Sequence, residues 1–135
     1  MGTRSQVFMV NSGVYLYQHW DGYNLPLEVQ EALKLKARWT DEEYLTRIIF
    51  ETMLENAKYE GWDDTEESKL RHKTLSFGIG TQQHSDIEWL VEVNVETQTI
   101  KIREGYDQLA EIWNGTFEQF LNIDASEEAL EEAEN

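Results

Sequence analysis

Two short runs near the start of the chain, residues 7–10 and 14–20, are rich in β-branched and aromatic residues. Such runs with period-two alternation are typical of β-strands. Residues 11–13 between them, Asn-Ser-Gly, have the chemistry of a tight turn. The pattern therefore predicts an antiparallel hairpin, in which Tyr17 and His19 face one side of the sheet and their even-numbered neighbours face the other.

Apolar residues then recur at helical spacing over two consecutive segments. Pro26 suits the first turn of a helix that runs to about Arg38, because a proline there loses no hydrogen bond. Residues 40–43, Thr-Asp-Glu-Glu, have the pattern of a capping box, and an apolar stripe follows them until Gly61. We expect this second helix to bury its stripe in the core.

The clearest alternation is that of a second hairpin. Apolar residues occupy the odd positions of 89–95 and the even positions of 100–103. A two-residue turn at Thr97-Gln98 would place Val93 opposite Ile102 and would satisfy both faces of the sheet in one register.

The remaining segments have weaker patterns. Residues 62–73 are polar and of mixed charge, which indicates a surface loop or a short helix. Residues 75–80 alternate as in a half-buried strand. Residues 106–113 are predicted to form a helix, and residues 116–119 have a capping pattern that precedes another. Residues 122–135 hold six acids and no base, which predicts a frayed or disordered tail.

This order of elements predicts a single α+β domain over residues 1–121. Its sheet would have four or five mostly antiparallel strands, with the helices packed on one face, because the strands alternate as half-solvated strands do. Residues 122–135 would form an acidic, flexible C-terminal tail.

Charge and composition exclude several classes of function. The formal net charge is −16, with +1 on residues 1–40 and −17 on residues 41–135. A field of this sign repels nucleic acid, so we expect no direct binding of DNA or RNA. Cysteine is absent and the histidines show no ligand spacing, so we expect no cofactor and no metal site. No apolar run is long enough for a membrane span and no leader-like segment is present, which predicts a cytoplasmic protein.

The residues best suited to chemistry lie near the start of the chain: Arg4, His19, Trp20, Asp21 and Tyr23. An arginine can clamp an anion, a histidine can donate or accept a proton, and an aspartate can orient that histidine or bind a ribose hydroxyl. Trp20 could stack on a base. The structural alternative is that Arg4 pairs with Asp21 and that His19 binds a backbone carbonyl. No triad or carboxylate spacing identifies a catalytic residue, so binding is favoured over catalysis.

Two segments also carry a resemblance. Gly2-Thr3-Arg4-Ser5 and Tyr17-Gln18-His19-Trp20-Asp21-Gly22-Tyr23 resemble the opening of a group of small, poorly characterised proteins that phages and prophages encode. In that group a proline commonly follows the final tyrosine directly, whereas Asn24-Leu25 intervenes here before Pro26. The resemblance implies a phage or prophage origin and a host-cell location, and it implies no established reaction.

Three functions are compatible with these observations. The first is a phage-type accessory protein that binds a basic surface of a host protein and inhibits or modulates it by mimicking nucleic acid. The second is a nucleotide-binding or small-anion-binding protein, or an enzyme, built on the N-terminal cluster. The third is a structural or assembly component of a phage particle, for which a homo-oligomer would be expected. For the first function, the carboxylates expected to stand where phosphates would are Asp41, Glu42, Glu51, Glu55, Asp63, Asp64, Glu66 and Glu67.

Overall fold

The computed structural model describes residues 3–56 and 65–134. The strands are β1 (Ser5–Met9), β2 (Val14–Gln18), β3 (Phe77–Gly80), β4 (Trp89–Asn94), β5 (Thr99–Glu104) and β6 (Ala110–Thr116). The helices are α1 (Leu25–Leu33), α2 (Glu42–Glu55), α3 (Glu66–Ser76), α4 (Phe117–Leu121) and α5 (Glu127–Glu134).

The strands form one mixed sheet in the order β3-β2-β1-β4-β5-β6. Only β1 and β4 run parallel, and every other neighbouring pair in the described ranges is antiparallel. The predicted α+β class is therefore confirmed. The sheet has six strands rather than four or five, because residues 110–116 add a strand to the edge of β5.

One face of the sheet carries the hydrophobic core. Val7, Leu16, Val91 and Ile102 occupy matching positions on this face and are fully buried. Helices α1, α2, α4 and α5 contribute the other side of the core, chiefly through Leu25, Val29, Leu33, Leu45, Ile49, Met53, Phe117, Phe120 and Leu130. The opposite face is more polar, and on it Phe8 stacks against Tyr15 with 4.4 Å between ring centroids.

The N-terminal hairpin forms as predicted. Gly13 closes its turn with a φ of +80°, which side chains rarely tolerate, and its amide donates to the Met9 carbonyl at 2.9 Å. Leu16 and Gln18 are buried on the core face, whereas Tyr17 lies on the other face with half-buried neighbours. The predicted alternation along β2 is confirmed.

The second hairpin forms with a different register. Val93 lies opposite Ile100, and Val91 lies opposite Ile102, so the predicted pairing was wrong by two residues. The connection is longer than a two-residue turn, with Gln98 at a φ of 53° and the Asn94 side chain accepting from the Thr97 amide at 3.1 Å. Because the error equals one full side-chain period, each residue still faces the predicted side.

The first two helices are shorter than predicted. Helix α1 ends at Leu33 rather than near Arg38, because Lys36 and Arg38 take left-handed φ values of 49° and 61° that a helix cannot include. Helix α2 begins at Glu42 after Asp41, whose side chain makes no capping bond, so the predicted capping box was wrong. Its predicted stripe is buried at Leu45, Ile49 and Met53 but not at Tyr44, which is exposed. The predicted end at Gly61 lies outside the described residues.

Of the loop or short helix predicted for residues 62–73, the described part is helical, and this helix extends into the first two residues of the predicted strand. The Thr65 hydroxyl accepts from the Ser68 amide and begins α3, which continues through Leu75 to Ser76. Only residues 77–80 of the predicted strand pair with β2. Leu75 and Ile79 are exposed, so the odd-numbered apolar residues of this segment do not form one buried face with Phe77.

The helix predicted for residues 106–113 was also wrong. Strand β6 pairs with β5, placing Trp113 opposite Ile102 on the core face, where its ring lies 5.5 Å from that of Phe120. The local sequence tolerates a helix, but the unpaired edge of β5 supplies backbone partners that an isolated segment lacks. The capping box at Thr116 and Gln119 is confirmed at the start of α4.

The acidic C-terminal segment is ordered where the structure describes it. Residues 127–134 form α5, and Ala125 and Leu130 are 0% and 2% exposed within the core. The prediction of a frayed tail was therefore wrong. Glutamate and alanine favour helix, and one leucine on the inward face is enough to anchor this short helix against β6.

Candidate functional site

The N-terminal hairpin brings Arg4 and His19 together. Arg4 precedes β1 and His19 follows β2, and Ser5 pairs with Gln18 across the two strands. The two side chains therefore meet at the same end of the hairpin. Arg4 Nε donates to His19 Nδ1 at 3.3 Å.

These residues form one wall of an open cleft of about 430 Å³. Backbone hydrogen bonds hold the cleft together, since the Glu88 amide donates to the Arg4 carbonyl at 2.8 Å and the Gly105 amide donates to the Glu88 carbonyl at 3.0 Å. These bonds place the residues that precede β4 and follow β5 beside the hairpin end. The lining residues are Thr3, Arg4, His19, Trp20, Asp86, Glu88 and Tyr106.

The guanidinium of Arg4 is already neutralised. Its Nη1 lies 3.0 Å from Asp86 Oδ2 in an ion pair that is half exposed. The expected alternative, an ion pair between Arg4 and Asp21, is wrong. Sequence reasoning did not select Asp86, because it lies in a loop far from Arg4 along the chain and no local pattern marks it.

His19 is held in one neutral tautomer. Arginine Nε is always a donor, so His19 Nδ1 must accept, and the Tyr17 hydroxyl at 2.8 Å donates to the same nitrogen. The remaining proton of the neutral ring is then on Nε2. Burial lowers the pKa of His19 below its usual value, the charge of Arg4 lowers this pKa further, and Asp86 opposes them. Side chains, rather than the expected backbone carbonyl, therefore orient the ring.

Tyr17 connects this cluster to the polar face of the sheet. Its ring stacks on His84 with 4.4 Å between centroids. Gln6, buried below, accepts from the His84 amide at 2.9 Å and donates to the Gln82 carbonyl at 3.2 Å. Residues 82–84 are thus fastened across β1 and β2, which supports the loop that carries Asp86.

The structure separates Asp21 and Tyr23 from the cleft. The Tyr23 hydroxyl donates to Asp21 Oδ1 at 3.2 Å. Between them, Gly22 is required by packing, because a Cβ there would lie 2.6 Å from the Thr3 carbonyl oxygen. Of the five residues proposed for a ligand site, Arg4, His19 and Trp20 line the cleft and these two do not.

Asp21 instead lines a small cavity beside the core, together with Gln18, Glu28 and His72. The cavity holds about 10 Å³, roughly the space of one water molecule. Glu28 is 5% exposed, and its Oε1 has no hydrogen-bond partner. Burial raises the pKa of Glu28 to about 8; a hydrogen bond from Gln18 opposes the rise, and the carboxylates of Asp21 and Glu31 add to it.

Sequence reasoning missed Glu28, although a signal was present. Glu28 lies between Leu25 and Ala32 at helical spacing, on the buried side of α1. A carboxyl group on an apolar stripe is either paired or neutral. The raised pKa indicates that Glu28 carries a proton at neutral pH.

The acidic residues proposed for partner binding are only partly available. Asp41, Glu51 and Glu66 lie within 4 Å of Arg38, Arg47 and Lys69, in exposed ion pairs. Both carboxylate oxygens of Glu42 are buried without a partner. Glu55 and Glu67 are exposed on α2 and α3. Asp63 and Asp64 lie outside the described residues.

Comparisons of this chain with protein-family models, with curated proteins and with solved structures found no match. Within the two described ranges, no group of three or more histidine, aspartate or glutamate side chains is placed to hold a metal ion. No helix in these ranges is both long and apolar enough to cross a membrane.

Proposed function

We propose that this protein binds a basic surface of a partner protein, at the place where that partner binds nucleic acid, and so inhibits or redirects it. The observation that carries the proposal is the docked helix α5, whose charged residues are all acidic. The resemblance of the N-terminal segments to phage and prophage proteins makes a host protein the partner to test. In the complex, carboxylates of this protein occupy the positions at which the partner binds the phosphates of nucleic acid.

Helix α5 displays its charge from a fixed position. Leu130 anchors the helix in the core, while Glu128 and Glu132 are exposed one turn apart. No basic residue lies on α5. A preordered array of carboxylates loses less conformational entropy on binding than a flexible tail does, so more of the electrostatic attraction appears as affinity.

The carboxylates of α5 are crowded, which contributes to the raised pKa of one of them. Partial burial raises the pKa of Glu127, and the neighbouring charges of Glu131 and Glu128 raise it further. Like charges on successive turns repel each other in the free protein. A basic partner would relieve that repulsion, which favours the complex.

The basic residues of the protein leave this field largely unbalanced. Most basic side chains in the described ranges already lie in ion pairs: Arg4, Lys36, Arg38, Arg47, Lys69, Lys101 and Arg103. Over the whole chain the acids outnumber the bases by 16, so the field around the protein is negative. Such a field steers a basic surface towards the protein and repels nucleic acid.

The test is a competition experiment. Proteins captured from host lysate at low ionic strength are identified, and the captured protein is purified and titrated with a labelled nucleic acid that it binds. We expect this protein to displace the nucleic acid, and we expect its affinity for the captured protein to fall steeply as salt is added.

A pair of double variants locates the interaction. Glu128→Gln with Glu132→Gln neutralises two exposed charges on α5, and Glu96→Gln with Asp107→Asn removes the same charge from exposed loops elsewhere. The α5 variant should weaken competition by at least several-fold more than the loop variant. Equal effects, or capture that resists salt and leaves the nucleic acid bound, would contradict the proposal.

A further inference from the structure

The cleft beside Arg4 has the charge and the walls of a cation site. Arg4 supplies the one guanidinium of the cleft, and Asp86 and Glu88 supply two carboxylates. Asp86 pairs with Arg4. Glu88 makes no ion pair with a described residue. With His19 neutral, the cleft carries an excess of negative charge, which disfavours the small anion expected from the sequence.

Two exposed aromatic rings complete this environment. Trp20 is 40% exposed and Tyr106 is 79% exposed, and both line the cleft. Both rings are therefore accessible to a ligand that enters the cleft. The face of a tryptophan or tyrosine ring attracts a cation, and a guanidinium can stack on such a ring while it pairs with a carboxylate.

The orientation of His19 indicates what else the ligand must carry. Arg4 and Tyr17 both donate to Nδ1, so the Nε2 proton is left as a donor with no acceptor among the described residues. A ligand that fills the cleft should therefore bring a hydrogen-bond acceptor as well as a positive charge. A peptide supplies both, through a backbone carbonyl and a basic side chain.

We propose that this cleft binds an arginine side chain presented by a peptide segment, with Glu88 pairing the guanidinium, Trp20 and Tyr106 contacting its face, and His19 donating to a peptide carbonyl. The volume of about 430 Å³ lies within the usual range for ligand pockets, roughly 300–1,000 Å³. It suits one side chain with its own backbone. This role rests on the proposed function only for the source of the arginine, which would come from the basic partner.

The probe is the tripeptide N-acetyl-Gly-Arg-Gly-amide, followed by ¹H–¹⁵N NMR on the full chain. We expect saturable shifts at the Trp20 indole N–H and at the Tyr106 amide. The matched peptide with citrulline in place of arginine keeps the shape and removes the charge, and it should produce no saturable shift. Inorganic phosphate tests the anion alternative in the same way.

Variants assign the binding to this cleft. Glu88→Gln should raise the Kd of the tripeptide about threefold to fivefold, as expected for the loss of one partly exposed ion pair. Tyr106→Ala and Trp20→Ala should each raise it about threefold to tenfold. Tyr106 is exposed enough that its removal leaves the fold intact. Glu96→Gln removes an equal charge from the distant β4–β5 connection and should leave the Kd unchanged.

The experiments on the arginine site and on the proposed function can fail independently of each other. Equal binding of the citrulline peptide, saturable binding of phosphate in place of the tripeptide, or no saturable shift at all would each overturn the arginine site. None of these results alters the nucleic-acid competition, which depends on the surface charges of α5. Tripeptide binding without competition would retain the site and reject the proposed function.

Discussion

Glu28 shows how one buried side chain can control the stability of the protein. Its carboxyl group lies on the apolar side of α1 with an unpartnered oxygen, and its pKa of about 8 exceeds the usual value near 4.5. The folded state therefore keeps a proton that the unfolded chain releases. Stability from this group is fully present below pH 4.5 and is lost as the pH rises towards 8.

We predict that Glu28→Gln stabilises the protein increasingly with pH. Glutamine cannot ionise in the unfolded chain, so the variant should gain about 1.4 kcal/mol per pH unit over that window, and at most about 5 kcal/mol. Urea unfolding at several pH values measures the difference. Glu43→Gln, on the exposed side of α2, is the matched control and should show no such trend. Parallel pH profiles for Glu28→Gln and the wild type would contradict the assignment.

The contact between Arg4 and His19 gives a second prediction at this scale. Burial is the largest cause of the lowered pKa of His19, and the charge of Arg4 is the second. Arg4→Gln removes that charge and leaves Asp86 unpaired nearby. Both changes favour the imidazolium, so the pKa of His19 should rise. Titration of the ring by ¹H–¹⁵N NMR measures it, and the wild-type neutral ring should carry its proton on Nε2.

Lys34→Gln is the control for this titration, because Lys34 is exposed and lies in no ion pair with a described residue. It changes the net charge equally and should leave the pKa of His19 nearly unchanged. A fall in the pKa of His19 in Arg4→Gln, or a proton on Nδ1 in the wild type, would show that the hydrogen bond is wrongly assigned.

At the level of elements, α5 is the segment whose order matters most for the proposed function. Its acidic composition suggested disorder, yet Ala125 and Leu130 enter the core beside the residues of α4. The five glutamates of α5 repel each other with no base on the helix to offset them, and a single apolar contact surface overcomes this repulsion. The carboxylates of α5 are therefore positioned by packing and not by helix propensity alone.

We predict that Leu130→Ala destabilises the protein by roughly 2–5 kcal/mol, the usual cost of truncating a fully buried leucine. Ile49→Ala, in the centre of α2, should cost a similar amount and serves as a reference. Glu128→Ala alters an exposed position of the same helix and should be nearly neutral. Urea unfolding of the three variants decides the matter, and a neutral Leu130→Ala would mean that α5 is not docked.

Strand β6 shows why elements with ambiguous sequences were the ones predicted incorrectly. Ile112 is the single β-branched residue among residues 106–113, so this segment is also compatible with a helix. The edge of β5 decided the outcome, since its backbone groups pair with β6 across a register irregularity beside Arg103. Both elements that were missed entirely, β6 and α5, depend on neighbours that are remote in sequence.

For the whole molecule, the net charge of −16 opposes folding as well as attracting partners. Self-repulsion of a highly charged chain is greater in the compact state than in the unfolded one. Salt screens this repulsion and also weakens the exposed ion pairs, which contribute little each. The balance should favour folding at higher ionic strength.

We therefore predict that the melting temperature rises by several degrees when sodium chloride is added at neutral pH. Circular dichroism or calorimetry measures the rise. The variant with Glu128→Gln and Glu132→Gln should start from a higher melting temperature and respond less to salt. A melting temperature that falls with salt would indicate that the ion pairs, and not the repulsion, dominate the electrostatic free energy.

The local pattern of residues was sufficient to specify the α+β class, both hairpins, the buried stripe of α2 and the capping box of α4, because each depends on side chains a few positions apart. It also brought Arg4 and His19 together, since the antiparallel pairing of β1 and β2 places their ends side by side. The pairing of Arg4 with Asp86, the exclusion of Asp21 from the cleft, the burial of Glu28 and the docking of α5 required the folded chain. These features depend on contacts between distant segments, whose geometry no local periodicity encodes.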